Sequence, residues 1–368
     1  MKHSLPFVSV HLIVKDGEKY IRACLSHIKS QTYQNVRFRI FNNASSDKTV
    51  ELAKSIMPGV EIVSFPRNYG LGGGFNRSLS WSNDPYVVGL CVDVMLEARF
   101  IEEAVSAAER DPRIGVVQGK VMGYDYKSGN VLSRIDTAGM SIFRSRRIIN
   151  RGHGEEDTGQ YEKAGEIFCY EGAVPFFRRA ALEEVALPVD YQRSPMYPPS
   201  RKATADLRFS KGSALPHQEN LKDYLDEDFF WYADEVDLGW RLRHAGWKCW
   251  YEPKAMAAHD RQTTKTLSAG WKDFIALRKT IPAQKRMLDF RNQRLAFIKN
   301  DYPFSLLKDL RFWLSRELKL FAYFLFFERS TLRAYPDILR MAPRMLAKRR
   351  IIMNRRKVGR KEMEKWFE

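Results

Sequence analysis

The first 120 residues alternate short, β-branched apolar runs with stretches of helical periodicity, and this alternation restricts the fold more than any other feature. Residues 8–13, 36–41, 60–65, 86–92 and 114–118 read as strands. Residues 18–30 carry Tyr20, Ile21, Cys24, Leu25 and Ile28 at helical spacing, and residues 50–57 follow as a second helix. Strands separated by helices predict an α/β fold with a mostly parallel, twisted sheet. In such sheets ligands sit beyond the carboxyl ends of the strands. The loops to inspect are therefore 14–17, 42–47, 66–74 and 93–97.

Composition excludes several classes. A chain of 368 residues with 44% apolar content is large enough for one big domain or a domain with an appendage, and too apolar for disorder throughout. Cys24, Cys91, Cys169 and Cys249 are far apart and form no Cys-x-x-Cys pair, so they are expected as reduced, buried thiols of a cytoplasmic protein. The first 20 residues lack the pattern of a signal peptide, and no apolar run is long enough to span a membrane. The net charge of +17 predicts an anionic partner. Residues 331–368 hold twelve basic residues against four acidic ones, a local excess of eight.

Four constellations are candidates for chemistry. Residues 67–76 follow a strand and open a helix, with Gly70, Gly72, Gly73 and Gly74 allowing close backbone approach. This stretch is either an anion-binding helix start or a turn that packs a helix tightly on a strand. Asp93 ends the fourth strand, where it can hold a divalent cation or cap the next helix. Residues 225–241 place six acids among five aromatics. Asp234, Glu235 and Asp237 either complement a helix dipole or include a general base, and Trp231, Tyr232 and Trp240 either stack on sugar rings or fill a core. His259 alone reads as a structural histidine unless it meets Asp93 in space.

The series of motifs resembles a family. It runs through NNASSD (42–47), NYGLGGGFN (68–76), Asp93, DTAG (136–139), RGHGE (151–155), GAVPFFRR (172–179), DEVDLGWRLR (234–243), His259 and RNQRL (291–295). Together these are similar to family 2 glycosyltransferases, and among them to bacterial rhamnosyltransferases that use dTDP-rhamnose. The resemblance implies a GT-A fold, a dTDP- or UDP-sugar donor, a divalent cation (Mg2+ or Mn2+) and inversion at the anomeric carbon. It places Val14, Lys15, Asp16, Asn43, Asn68, Gly70, Gly73 and Gly74 around the nucleotide-sugar, with Asn43 reading the base. It implies that Asp93 and His259 bind the metal, that Glu235 is the base with Asp234 and Asp237 beside it, and that Trp231, Tyr232 and Gly172 face the acceptor. Three residues depart from the family pattern. Asn42 stands in place of an aspartate, Met95 in place of the second metal-motif acid, and Glu235 in place of the usual aspartate.

The expected division is a GT-A domain over 1–270 and a helical, basic module over 271–368. Residues 306–327 mix Leu, Trp, Phe and Tyr with Lys308, Arg311, Arg316 and Lys319, a composition suited to an interfacial helix. The basic segment after it favours an anionic leaflet. The leading expectation is an inverting transferase that moves L-rhamnose onto a lipid-linked glycan for cell-surface polysaccharide. It would sit peripherally on the inner face of the plasma membrane, and an oligomer is compatible with this. The alternatives are a UDP-sugar transferase, such as a galactofuranosyltransferase, and a non-catalytic membrane scaffold with a degenerate site. Nucleic acid is not an expected partner, because the excess charge is concentrated at one end and no nucleic-acid motif is present.

Overall fold

The structure is a computed structural model that describes residues 5–188, 222–261 and 271–368, with side chains in the last stretch described from Ile275. Residues 188–222 are rich in Pro, Ser, Lys and Arg, a composition that predicts a long loop, and apart from their two ends they fall outside the described residues. The elements run β1 (Val8–Val14), α1 (Ile21–Lys29), β2 (Val36–Asn42), α2 (Thr49–Ile56), β3 (Glu61–Ser64), α3 (Gly70–Ser78), β4 (Tyr86–Cys91), β5 (Val94–Leu96), α4 (Phe100–Arg110) and β6 (Ile114–Asp125). There follow β7 (Asn130–Thr137), β8 (Met140–Ile142), β9 (Ile148–Asn150), β10 (Gly165–Ile167), β11 (Phe176–Arg178), α5 (Arg179–Val185), β12 (Leu187–Pro188), β13 (Lys222–Asp223), α6 (Asp234–His244) and β14 (Lys248–His259). The chain closes with α7 (Trp271–Thr280), α8 (Ala283–Asn300), α9 (Pro303–Lys308), α10 (Leu310–Phe327), α11 (Ala334–Arg355) and α12 (Arg360–Glu364).

The main sheet has the order β10-β14-β6-β11-β4-β1-β2-β3, with β5 on β14 and β7 on β6. Its first half is parallel, as the strand–helix alternation predicts. β1 lies between β2 and β4, and every residue of β1 is buried, as expected of a strand covered on both faces. The second half is mixed. Antiparallel β11 is inserted between β4 and β6, so the sheet is less parallel than the sequence suggests. Three residues, Phe176–Arg178, give too short a period-two signal to announce that strand. β6 and β14 are both longer than their apolar runs indicated, and they pair in parallel with an irregularity between Glu252 and Met256. Pro253, which cannot donate to a ladder, sits inside that irregularity. The extension carries β14 on to His259.

Apolar residues fill both faces of the sheet. One cluster holds Leu12, Leu25, Phe100 and Val117; the other holds Phe75, Phe177, Trp240 and Leu295. The second cluster also contains Phe297, Met341, Met345 and Met363 from the C-terminal helices. Trp240 of α6 meets Phe297 and Phe367, each at a ring separation of 6.1 Å. The division drawn at 270/271 therefore does not correspond to a break in packing, because α8, α11 and α12 share a core with the sheet.

Candidate active site

Asp93, His259 and Asp136 meet at the carboxyl ends of their strands. The β5–β14 ladder sets His259 opposite Val94, and the Asp260 N–H donates to the Asp93 carbonyl at 3.1 Å. His259 Nε2 then lies 3.4 Å from Asp93 Oδ2, while His259 Nδ1 lies 2.9 Å from Asp136 Oδ2 at the start of the DTAG motif. Arg261 donates to both Asp136 oxygens, at 2.6 and 2.9 Å, and to Glu171 at 2.9 Å. Burial opposes a charge on His259, but the Asp136 and Asp93 carboxylates outweigh it and push its pKa up to about 10. Without a metal the imidazole is therefore protonated.

These residues fit a divalent cation that shares its coordination with a diphosphate. Nε2 and Oδ2 are spaced as two neighbouring ligands, and Asp136 supports the far side of the imidazole as an orienting carboxylate does in metal sites. Two protein donors suffice where substrate oxygens and water supply the rest. Met95 is buried in the apolar cluster opposite Ala258 and offers no ligand. Among the described residues no group of three His, Cys, Asp or Glu could enclose a metal alone.

Asp234 and Glu235 open α6 on the other wall. Together with Cys91, Tyr170 and Gly172 they line a small cavity. A Cβ on Gly172 would stand 3.8 Å from Glu235 Oε2, an ordinary contact distance, so Gly172 lies directly beside this carboxyl. Glu171, the neighbour of Gly172, ties this wall to Arg261 and through it to the His259 corner. Burial and the adjacent Asp234 charge push the Glu235 carboxyl well above the usual range. Burial also raises Asp234, which shares a hydrogen bond with Glu235. Two acids in one buried corner oppose ionisation, and both carboxyls are shifted upward.

The Gly-rich stretch packs closely at three points. Gly70 has φ +75°, and a Cβ there would stand 2.2 Å from the Phe230 carbonyl oxygen. A Cβ on Gly74 would press on Ile13 at 2.8 Å, and one on Gly72 would lie 3.2 Å from Asp234 Oδ2. Asn43 is buried beneath the turn. Its amide donates to Asn68 at 3.0 Å and to the Gly70 carbonyl at 2.9 Å, and its Oδ1 accepts the Tyr69 N–H at 2.9 Å. This side chain holds the loop, whereas the family resemblance assigns it to the base. Val14, Lys15 and Asp16 lie at the end of β1 as expected. The Val14 carbonyl accepts the Asn43 N–H at 2.7 Å, Lys15 pairs with Asp16, and Asp16 accepts the Ser46 N–H at 2.7 Å.

Residues 9–186 match the model for glycosyl transferase family 2. The chain carries a family 2 glycosyltransferase domain. The N-acetylglucosaminyl-diphospho-decaprenol L-rhamnosyltransferase of Mycobacterium tuberculosis is 23% identical over 66% of this chain and 72% of its own length. An uncharacterized glycosyltransferase of Haemophilus influenzae is 25% identical over 34% of this chain and 43% of its own length. Among solved structures, GalNAc-T7 with UDP, GalNAc and Mn2+ aligns at a TM-score of 0.53 and 11% identity, covering 84% of this chain and 54% of that one. That likeness supports the GT-A-like α/β fold alone.

The aromatic rim, residues 230–233, lies beyond the matched residues and is held by α8. Phe230, Tyr232 and Ala233 all have φ between +61° and +70°, a conformation costly for residues with a Cβ. Asn292 of α8 clamps this turn, its amide donating to the carbonyls of Phe229, Trp231 and Tyr232 at 2.9, 2.7 and 2.9 Å. Trp231 is exposed and stacks on Tyr232 at 4.7 Å, and the Lys285 ammonium sits 4.1 Å above the Trp231 ring. The turn delivers the chain into α6 at Asp234.

Asp237 is a correction. It is fully buried and bonded to Arg241 (2.9 Å), Lys299 (2.8 Å) and Asn300 (2.8 Å), so it belongs to an ion cluster and not to the cavity. Sequence reasoning did not single out Asp136, Glu171, Arg261, Lys285 or Asn292 as site residues. Asp136 stood in a quoted motif, but its partner lies 123 positions away.

Proposed function

We propose that this glycosyltransferase is an inverting enzyme that moves L-rhamnose from dTDP-rhamnose onto a lipid-linked, diphosphate-bearing glycan at the inner face of the plasma membrane. The observation that carries the reading is the link between two groups of acids: Arg261 bonds both Asp136, which holds His259 beside Asp93, and Glu171, the neighbour of Gly172 in the cavity that Asp234 and Glu235 line. The choice of rhamnose, and of a lipid-linked acceptor, is supported by the mycobacterial relative, which aligns over two thirds of this chain.

Asp93 and His259 would hold the divalent cation, with Asp136 fixing the imidazole and Arg261 fixing Asp136. A cation bound there supplies charge neutralisation to the leaving diphosphate. The acceptor hydroxyl rests against Trp231 and Tyr232 and points at the anomeric carbon. Its oxygen forms the new C–O bond while the bond from that carbon to the diphosphate oxygen breaks. The hydroxyl proton passes to the Asp234–Glu235 pair through Glu235, and the nucleoside diphosphate departs with the bonding electrons. A single displacement inverts the anomeric configuration.

Nucleotide release from dTDP-rhamnose, UDP-sugars and GDP-sugars, with and without Mg2+ or Mn2+, tests the reading. Metal-dependent release of dTDP alone is the expected result. Release of UDP from UDP-galactofuranose would move the donor assignment. No turnover of any donor by the native chain would remove the enzymatic reading and leave a scaffold.

A further inference from the structure

We propose that the outward face of α9 and α10 is a docking surface for an anionic lipid bilayer. This deepens the reading above and rests on it for the nature of the acceptor, while the surface itself is read from these two helices. The inward side of α10 is packed. Tyr323 and Phe324 are buried, Phe324 meets Phe290 of α8 edge-on at 4.8 Å, and Glu317 accepts from Arg294 at 2.6 Å. The outward side repeats at three- and four-residue steps, with Leu314, Leu318, Phe321 and Leu325 in one stripe that continues the exposed Leu307 and adjoins Phe326. Leu307, Leu318 and Phe326 are 65%, 61% and 72% exposed. The stripe from Leu314 to Leu325 is about 17 Å long at the rise of an α-helix. Soluble surfaces rarely leave so long an apolar strip uncovered. No helix among the described residues is long and apolar enough to cross a membrane, so the fit is to lie along one.

Charge selects the occupant. Arg311, Lys319 and Arg329 are exposed on or beside the stripe. The acids of this segment turn inward: Asp309 and Glu328 are buried, Asp309 pairing with Arg144 and Arg146 and Glu328 with Arg278 and Arg286, while Glu317 pairs with Arg294 and Arg316. The outward face therefore offers apolar side chains, Ser315 and cations, and none of these acids. A second copy would set like charge against like on a chain of net +17, whereas anionic headgroups complement it. The position also suits a lipid-linked acceptor. The same helix, α8, that packs Phe290 on Phe324 also sends Lys285 over Trp231 and Asn292 into the turn behind it.

Vesicle co-sedimentation of the full chain tests this without any donor sugar, so its outcome is independent of the rhamnose assignment. The chain should sediment with vesicles containing phosphatidylglycerol and remain in solution with phosphatidylcholine alone. The variant L314S/L318S/L325S should lose binding while keeping its melting temperature. Should that variant misfold, R311E/K319E alters only exposed charges and should weaken binding by roughly tenfold or more. Two results overturn the proposal: wild-type chain that ignores anionic vesicles, or variants that bind as wild type. Dimerisation that the serine variant abolishes, with no vesicle binding, would assign the face to a second copy instead.

Discussion

The two halves of the site, which the proposed function assigns to donor and acceptor, are held by different kinds of bond. Around β1, β2 and α3 the loops are tied by neutral amides and hydroxyls and by the exposed or half-buried carboxylates of Asp16, Glu18 and Asp47. Asn43 bonds the 68–70 turn, Thr49 Oγ1 accepts the Gly17 N–H at 2.7 Å, and Ser45 Oγ accepts the Asp16 N–H at 3.0 Å. Around β13 and α6 the ties are buried charges. Lys348 of α11 reaches Asp223 (3.2 Å), Asp226 (2.5 Å) and Asp228 (3.0 Å), and Lys299 of α8 reaches Asp226 (2.5 Å) and Asp237 (2.8 Å). Turn chemistry of the first kind fixes a loop locally. A buried ion cluster fixes one only when every partner is present, because an unpaired charge is costly in a dry interior. The acceptor half therefore depends on C-terminal helices that composition alone presents as an appendage.

The largest effect expected lies at the carboxylate pair where the halves meet. Glu235→Gln removes the proton acceptor and should lower kcat by about 10²–10⁴-fold with nucleotide binding unchanged. Because Asp234 raises Glu235, Asp234→Asn should move the acid limb of the kcat/KM profile to lower pH. The base must be ionised, so activity should rise with pH through an apparent pKa above the ordinary carboxylate range. An acid limb at the ordinary carboxylate value, unmoved by Asp234→Asn, would detach this pair from the chemistry.

Next in size is the contrast in stability. Lys348→Met leaves buried carboxylates short of a partner and should cost about 3–5 kcal/mol. Lys15→Met breaks a partly exposed pair in the donor half and should cost under about 1 kcal/mol. Equal losses in chemical denaturation would erase the distinction between the halves.

This contrast also explains what was legible in the sequence. β1 through β4, the glycine turn and Asp93 follow from periodicity and punctuation, which are local signals. The pairing of His259 with Asp93 required a known family pattern, since β14 carries it there across an irregular stretch. The acids of 223–237 are legible as unusual, but their division into a cavity pair and an ion cluster is not. Asp234 and Asp237 are three apart on one helix, yet one faces Gly72 and the other faces Lys299. Only partners 62 to 125 positions away decide which is which. The twelve cations of 331–368 read as a segment turned to an anionic leaflet, whereas Lys348 is buried among aspartates and Arg344 pairs with Asp228 at 2.9 Å.

A sharper test of the dependence is the clamp on the left-handed turn. Asn292→Leu removes the donor to three carbonyls and should lower kcat by about ten- to a hundredfold, in line with one to two lost buried hydrogen bonds. The nucleotide Kd, set by the donor half, should not change. Asn292→Gln keeps the amide and should recover part of the rate. A matching loss of nucleotide affinity would mean that α8 supports the whole fold and not this turn.

The smallest effect expected is in acid stability, where the acceptor half carries its own counterweight. Burial lowers His244 to about 4 and His11, on β1, to about 3. Each is neutral when folded and takes a proton near 6.5 when unfolded, so stability falls as pH drops below 6.5. The loss is about 2 kcal/mol per histidine at pH 5. Asp223 runs the other way. Burial raises it to about 6, so the folded state takes its proton first and gains about 1 kcal/mol at pH 5. His244→Gln should therefore flatten the fall in stability between pH 7 and pH 5, and Asp223→Asn should steepen it. Denaturant midpoints at the two pH values read both slopes. Parallel slopes for wild type and Asp223→Asn would mean that Lys348 and Lys299 keep that carboxylate charged, and that the cluster titrates as one unit below pH 5.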